Sequence, residues 1–282
     1  MDVQVVDYRV PDAPARFVES LRQTGFAVLT HHPIPQESIE RIYREWLGFF
    51  GSDAKHAYAV DGKTHDGFFS TAVSETAKGG TQRDLKEFFH IYPWGKYPAE
   101  VSPAALDYYD LAGALGAKLL QWIDQETPAD VSALFSMPLS QMITGNPSTL
   151  LRVLRYPPLQ GEETPGALRA AAHEDINLIT LLPAANEPGL QVKDGKGDWH
   201  DVPCDFGMLV VNIGDMLQEA SAGYYPSTTH RVQNPAGAGR TQSRISLPLF
   251  IQPRNEVRLS GAYLAGQYLE ERLQELRGVK KI

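Results

Sequence analysis

The chain has 282 residues, 43% hydrophobic, 21% charged and 10% aromatic. This is the balance of a globular protein with a substantial core, not of a disordered, collagen-like or coiled-coil chain. A formal net charge of −8 and the absence of a Lys/Arg cluster speak against the basic face that nucleic-acid binders use. Its one cysteine, Cys204, excludes an internal disulfide framework and a cysteine-based metal cluster. No run nears the roughly 18 apolar residues of a membrane span. The start, Met1-Asp-Val-Gln-Val5, lacks a basic stretch leading into an apolar one, so no secretory signal is expected and the setting reads as cytoplasmic.

In chain order, Asp12, Pro14 and Gly25 bracket Phe17, Val18 and Leu21 at helical spacing, which predicts a helix with Asp12 as its N-cap. Phe26–Leu29 reads as a short strand. Pro35–Phe49 carries Ile39, Ile42, Tyr43 and Trp46, with Phe50 just beyond, a second amphipathic helix. The stretch from Gly51 to Gly95 reads as loop-rich, and Asp107–Ile123 as a third helix. From Leu150 onward short apolar runs alternate with turn signals: Leu151–Tyr156, Asn177–Leu182, Leu190–Val192, Gly207–Ile213, Thr229–Val232 and Ser243–Gln252. Many short strands at this pitch predict a sandwich or barrel, not alternating β-α units. A final helix carries Leu264, Tyr268, Leu269, Leu273 and Leu276. The reading is mainly β: one integrated unit in which a helical N-terminal layer buttresses a C-terminal β core.

Three features of the β region fit together. In His173-Glu-Asp175, residues i and i+2 of a strand would share a face, bringing an imidazole and a carboxylate together. His230 heads a later strand signal. Two histidines and one carboxylate on one side of a metal form the facial triad of non-haem Fe(II) oxygenases. Arg244-Ile-Ser246 repeats the i, i+2 pattern and offers a guanidinium fork and a hydroxyl to one carboxylate. With eight histidines in the chain a chance His-x-Asp is unremarkable; order and strand placement of the three together raise the signal.

The stretch Leu151–Phe250 resembles the catalytic core of the iron(II)/2-oxoglutarate-dependent dioxygenases, in the isopenicillin N synthase-like branch. The matching text is Leu151-Arg-Val-Leu-Arg-Tyr-Pro-Pro158, His173-Glu-Asp-Ile-Asn-Leu-Ile-Thr-Leu-Leu182, Gly189-Leu-Gln-Val192, Val210-Val-Asn-Ile-Gly-Asp-Met-Leu217, Ser227-Thr-Thr-His-Arg-Val232 and Arg244-Ile-Ser246. Gly25-Phe-Ala-Val-Leu29 and His31-His-Pro-Ile34 are similar to that branch's N-terminal region. The resemblance implies a double-stranded β-helix (jelly roll), with residues 1–100 as the branch's N-terminal region packed on a core of 101–282. It implies Fe(II) held by His173, Asp175 and His230, with 2-oxoglutarate and O2 as co-substrates. The distal carboxylate of 2-oxoglutarate would meet Arg244 and Ser246, with Tyr156 nearby. Where the branch often has asparagine, this chain has Leu154, which removes one polar contact.

The implied reaction oxidises a small-molecule substrate, by hydroxylation or desaturation, and releases succinate and CO2. Halogenating relatives carry a small residue where Asp175 stands, so its presence argues for oxygenation, or desaturation, over halogenation. Two alternatives stand beside this: a 2-oxoglutarate-independent Fe(II) oxidase of the isopenicillin N synthase type, and a non-catalytic jelly-roll binding protein. Candidate substrate-pocket residues are Asn177, Arg152 and Phe250, although a local hydrogen bond for Asn177 and a structural ion pair for Arg152 compete with that role. The resemblance also implies that the N-terminal segment, the Asp61–Thr81 loop and the C-terminal helix set the substrate, as they do in that branch. Gly237-Ala-Gly239 reads as a hairpin connection, His31-His32 as a loop pair, and Cys204 as a small buried hydrophobe.

Overall fold

The computed structural model describes residues 1–61, 64–73, 83–161, 163 and 167–276. The chain opens with β1 (Val5–Asp7), α1 (Ala13–Thr24), β2 (Phe26–Thr30) and α2 (Gln36–Phe50). Next come β3 (Gly67–Phe69), β4 (Glu87–Ile91), the long α3 (Ala104–Glu126) and two single turns, α4 (Ala129–Ser132) and α5 (Leu139–Met142). The β core holds β5 (Leu150–Tyr156), β6 (Ala170–His173), β7 (Ile179–Pro183), β8 (Leu190–Lys193), β9 (Trp199–Asp201) and β10 (Leu209–Ile213). It ends with α6 (Asp215–Ala220), β11 (His230–Val232), β12 (Arg244–Ser246), β13 (Leu249–Ile251) and α7 (Ala265–Leu276).

The start and stop signals of α1 have different outcomes. Gly25 takes φ 73° and its N–H bonds Leu21 O at 2.8 Å, the left-handed cap that glycine adopts without strain. Asp12 makes no side-chain cap bond. Its φ −90°, ψ 6° is not the extended conformation that aims a cap oxygen at the first turn.

Among the described residues the strands form two sheets. The larger runs β1-β2-β10-β7-β13-β5-β4-β3, with β12 also on β5; the smaller runs β6-β11-β8-β9. From β5 to β11 the chain passes back and forth between the two sheets, which is the winding of a jelly roll. Helices α1, α2 and α3 bury Phe17, Leu21, Trp46 and Leu119 in one core with Leu181, Leu249 and Ile251 of the large sheet. Smaller apolar clusters lie elsewhere, one of them joining Phe88, Leu154 and Tyr156 of the large sheet to Ala170 and Val232 of the small one. The N-terminal strands are hydrogen-bonded into the same sheet as the core: β2 pairs β10 and β4 pairs β5.

Three expectations are corrected. The stretch 51–95 is not simply loop, for it contains β3 and β4. All five residues of β4 are buried, so it lacks the alternation that marks a half-buried strand. Gly237–Thr241 is a 3-10 turn joining β11 of the small sheet to β12 of the large one, a crossover and not a hairpin. The run Ser243–Gln252 splits into β12 and β13 at Leu247-Pro248, because proline cannot donate to a ladder. Residues 62–63 and 74–81 of the Asp61–Thr81 loop lie outside the described residues. No helix among the described residues is long and apolar enough to cross a membrane.

Candidate active site

His173 ends β6, His230 begins β11, and antiparallel pairing sets them directly opposite each other. Their ring centroids are 4.4 Å apart. His173 Nδ1 bonds Ala171 O at 2.7 Å and His230 Nδ1 bonds Thr228 O at 3.1 Å. An Nδ1–H that donates to a carbonyl leaves Nε2 as the lone-pair nitrogen, the tautomer a metal needs. Phe26 of β2 packs its ring edge-on against His230, centroids 5.4 Å apart.

Asp175 reaches the same point by another route. β6 stops at His173, so strand alternation does not carry the carboxylate as expected. The chain bends instead, and Asp215 N fixes the bend by donating to Asp175 O at 2.8 Å. Asp175 Oδ1 lies 3.9 Å from His173 Nε2 and 3.8 Å from His230 Nε2, too far for hydrogen bonds. The ligand atoms of the three residues all lie within 4.8 Å of one another. Its other oxygen, Oδ2, accepts from the Thr180 hydroxyl at 2.6 Å and from Asn212 Nδ2 at 2.9 Å. Oδ1 is thus the oxygen turned toward the imidazoles.

Burial opposes ionisation of Asp175, but the two imidazoles and the hydrogen bonds from Asn212 and Thr180 outweigh it and hold the carboxyl below its ordinary range. Desolvation, reinforced by the neighbouring His230, pushes the His173 imidazole down. An anionic carboxylate beside a neutral imidazole is what a divalent cation requires. Two nitrogens and one oxygen, with no thiolate, suit iron(II) and leave coordination positions open.

Arg244 and Ser246 lie on one face of β12, as expected, opposite Tyr156 and Leu154 of β5. Both are buried. Arg244 Nε donates to Glu187 O at 2.9 Å and Cζ stands 5.2 Å from the Tyr156 ring centroid. Arg244 Nη1 is buried with no hydrogen-bond partner among the described residues. A buried, unpaired guanidinium nitrogen is costly unless an anion completes it. The pocket therefore fits the carboxylate of a dicarboxylic co-substrate.

The structure separates the three candidate substrate residues. Arg152 and Phe250 come together: Arg152 Cζ lies 4.6 Å from the Phe88 ring centroid and 5.3 Å from that of Phe250. Arg152 Nε donates to His90 Nε2 at 2.8 Å. Asn177 stands apart and is fully buried, its Nδ2 donating to Thr180 Oγ1 at 2.8 Å. It supports the group that holds Asp175. Sequence reasoning missed Thr180, Asn212, His90 and Phe88. Asn212 carried a signal, a polar residue inside the apolar run Leu209–Ile213; β4 carried none.

A jelly roll that encloses two imidazoles, one carboxylate and a buried guanidinium with one unpartnered nitrogen defines a class, the non-haem iron oxygenases that use a keto acid. Residues 147–253 match the model of the 2OG-Fe(II) oxygenase superfamily, and residues 4–108 that of the N-terminal region of non-haem dioxygenases in morphine synthesis. Proline hydroxylase buaE of Petromyces alliaceus is 30% identical over 291 residues, covering 91% of this chain and 89% of that one. The crystal structure of a Shewanella oneidensis protein assigned as an oxygenase superposes with a TM-score of 0.90 at 55% identity, over 99% of this chain and 100% of that one. A full-length Neurospora crassa protein, crystallised in complex with alpha-KG and thymine, shares the fold at a TM-score of 0.78 and 22% identity, over 99% and 97% of the two chains. The chain belongs to the 2-oxoglutarate- and Fe(II)-dependent oxygenases and is an oxidoreductase with Fe(II) and 2-oxoglutarate as its cofactor and co-substrate. Neither the 2-oxoglutarate-independent oxidase nor the non-catalytic jelly roll is favoured by these relatives.

Proposed function

We propose that this oxygenase hydroxylates a small molecule and belongs to the isopenicillin N synthase-like branch. The N-terminal match over residues 4–108 supports the branch. Proline in the name of one relative and thymine in the structure of another support a small substrate. Asp175 supports hydroxylation or desaturation over halogenation, since halogenating relatives carry a small residue there. We also propose that residues 1–100 and 101–282 act as one unit, and that the enzyme works in the cytoplasm, where reducing conditions keep iron ferrous and Cys204 a thiol.

In this reading His173, Asp175 and His230 hold Fe(II). Arg244 and Ser246 hold the distal carboxylate of 2-oxoglutarate, with the Tyr156 ring alongside. When bound, the metal and keto acid supply the chemistry that turns O2 into an oxidant, with succinate and CO2 as products. The chain's own contribution is orientation and dryness. Nδ1 bonds fix the imidazoles, Thr180 and Asn212 fix the carboxylate, and Leu154 opposite Ser246 keeps the floor of the pocket apolar. Arg152, spread over Phe88 and Phe250, is the edge at which a planar or acidic substrate group would rest.

The observation that carries the 2-oxoglutarate assignment is the unpartnered Nη1 of Arg244. Substrate-coupled release of succinate under Fe(II), ascorbate and O2 tests the reaction, using a panel of small molecules. Arg244→Lys should weaken anaerobic binding of 2-oxoglutarate roughly 10–150-fold, the equivalent of one charge-assisted hydrogen bond. Ser246→Ala should cost about 1 kcal/mol. Substrate oxidation with 2-oxoglutarate rigorously omitted, and no effect of Arg244→Lys, would establish the oxidase instead.

A further inference from the structure

A second buried guanidinium lies within electrostatic reach of Arg244. Arg169 immediately precedes β6 and is 0% exposed, deeper than Arg244 at 3%. Its backbone N donates to Asn234 Oδ1 at 2.8 Å and its Nη2 to Gln242 O at 2.9 Å. Gln242 stands just ahead of Arg244 on the approach to β12, so the side chain crosses from the small sheet to the foot of the large one. Nε and Nη1 of Arg169 are both buried with no partner among the described residues. Desolvation and the field of Arg244 bear on this group, as do Tyr156 and Glu187. The Arg244 Nε bond to Glu187 goes to its backbone carbonyl, not its carboxylate.

Both guanidinium groups are thus buried, the field of one reaching the other, and among the described residues neither has a carboxylate in hydrogen-bond or ion-pair contact. Burying charge in this way is tolerable only when an anion completes the site. An ionised carboxylate has about four lone-pair positions, more than Arg244 and Ser246 fill. Depth decides which anion it is. The His173 side chain is 39% exposed, whereas Arg169 and Arg244 are almost wholly buried, so the anion that completes them is one held in the interior and not at the surface.

We propose that Arg169 is a second guanidinium for the distal carboxylate of 2-oxoglutarate, so that Arg169 and Arg244 clamp it from opposite sheets. The proposal rests on the assignment of Arg244 and Ser246 to that carboxylate.

The test is anaerobic binding to the Mn(II)-loaded enzyme, followed by calorimetry, with two probes: 2-oxoglutarate, and 2-oxobutanoate, which lacks the distal carboxylate. Arg169→Met should raise the Kd of 2-oxoglutarate roughly 10–150-fold and leave that of 2-oxobutanoate unchanged. Arg169→Lys should recover part of the loss. If Arg169→Met lowers the unfolding temperature but leaves the Kd of 2-oxoglutarate intact, while Arg244→Met raises it, Arg169 is structural and the proposal fails alone. If Arg244→Met also has no effect, the underlying assignment fails and takes this one with it. A crystal structure of the wild type with Mn(II) and N-oxalylglycine needs no variant to fold. An Arg169 nitrogen within hydrogen-bond distance of the distal carboxylate supports the clamp; a carboxylate bound by Arg244 and Ser246 alone overturns it.

Discussion

Asp175 shows how much of a candidate metal ligand's orientation is set by the residues behind it. Thr180 and Asn212 occupy Oδ2 and so aim Oδ1 at the two imidazoles. Thr180→Val and Asn212→Leu each remove one donor while preserving approximate volume. Each should lower Mn(II) or Fe(II) affinity roughly 10–100-fold, the usual cost of losing such support, and a direct metal titration measures it. His173 sets a pH dependence. Its folded value is pushed below the ordinary imidazole value of about 6.5. As pH falls through about 6.5, the unfolded chain takes up a proton before the folded one does. The contribution of His173 to the stability of the metal-free protein is therefore fully present above that range and is lost on acidification toward the depressed value. For the same reason protons should begin to displace metal from His173 only below about pH 6.5. Mn(II) occupancy followed by EPR across the acid range checks this, and release beginning at neutral pH would contradict it.

At the scale of elements, the site depends on bends as much as on strands. Asp175 lies between the end of β6 and the start of β7, and the bend is braced by α6. A Cβ on Gly214 would sit 2.1 Å from Asn177 Oδ1 and 2.4 Å from Asn177 O, too close for any real contact. Gly214→Ala should therefore push the 175–178 bend aside and destabilise the fold by about 1–3 kcal/mol, the range for overpacking. It should also weaken metal binding, although residue 214 is not a ligand. Chemical denaturation paired with metal titration separates the two effects. This geometry also explains what the sequence conveyed and what it did not. The convergence of His173 and His230 and the shared face of Arg244 and Ser246 were legible because each belongs to a strand whose period is two. Asp175 was legible as a candidate ligand, but strand alternation is not what brings it there, since the convergence comes from tertiary bonds. β4 was hidden because burial on both faces erases alternation. Arg169 stands before three alanines with no flanking motif, and only burial distinguishes it.

At the scale of the whole molecule, the N-terminal region is part of the site's wall. β2 pairs with β10, the strand that carries Asn212, and Phe26 packs on His230. β4 covers the outer side of β5 and supplies Phe88 and His90. A fragment restricted to residues 101–282 would expose two strand edges and the apolar face under α1 and α2. It should fail to give a cooperative unfolding transition by circular dichroism. A stable fragment would show instead that the two regions are separable.

The metal and co-substrate should also be coupled through the molecule. A keto acid can chelate only when the metal is present, whereas the Arg244 pocket alone offers just the distal attachment. Mn(II) should therefore raise the affinity for 2-oxoglutarate, and by linkage 2-oxoglutarate must raise that for Mn(II) by the same factor. A ligand at 100 times its Kd stabilises by about 2.7 kcal/mol. For a chain of this size that corresponds to a rise in Tm of roughly 4–5 °C. Differential scanning fluorimetry of the protein alone, with Mn(II), with 2-oxoglutarate and with both gives the four corners of the cycle. The shift with both ligands should exceed the sum of the separate shifts, and Arg244→Lys should shrink the excess. Asp175→Ala should abolish the excess, because without the anionic ligand the metal is not held for the keto acid to meet. Simple additivity in the wild type would mean that 2-oxoglutarate binds away from the metal, and the assignment of the site would fall.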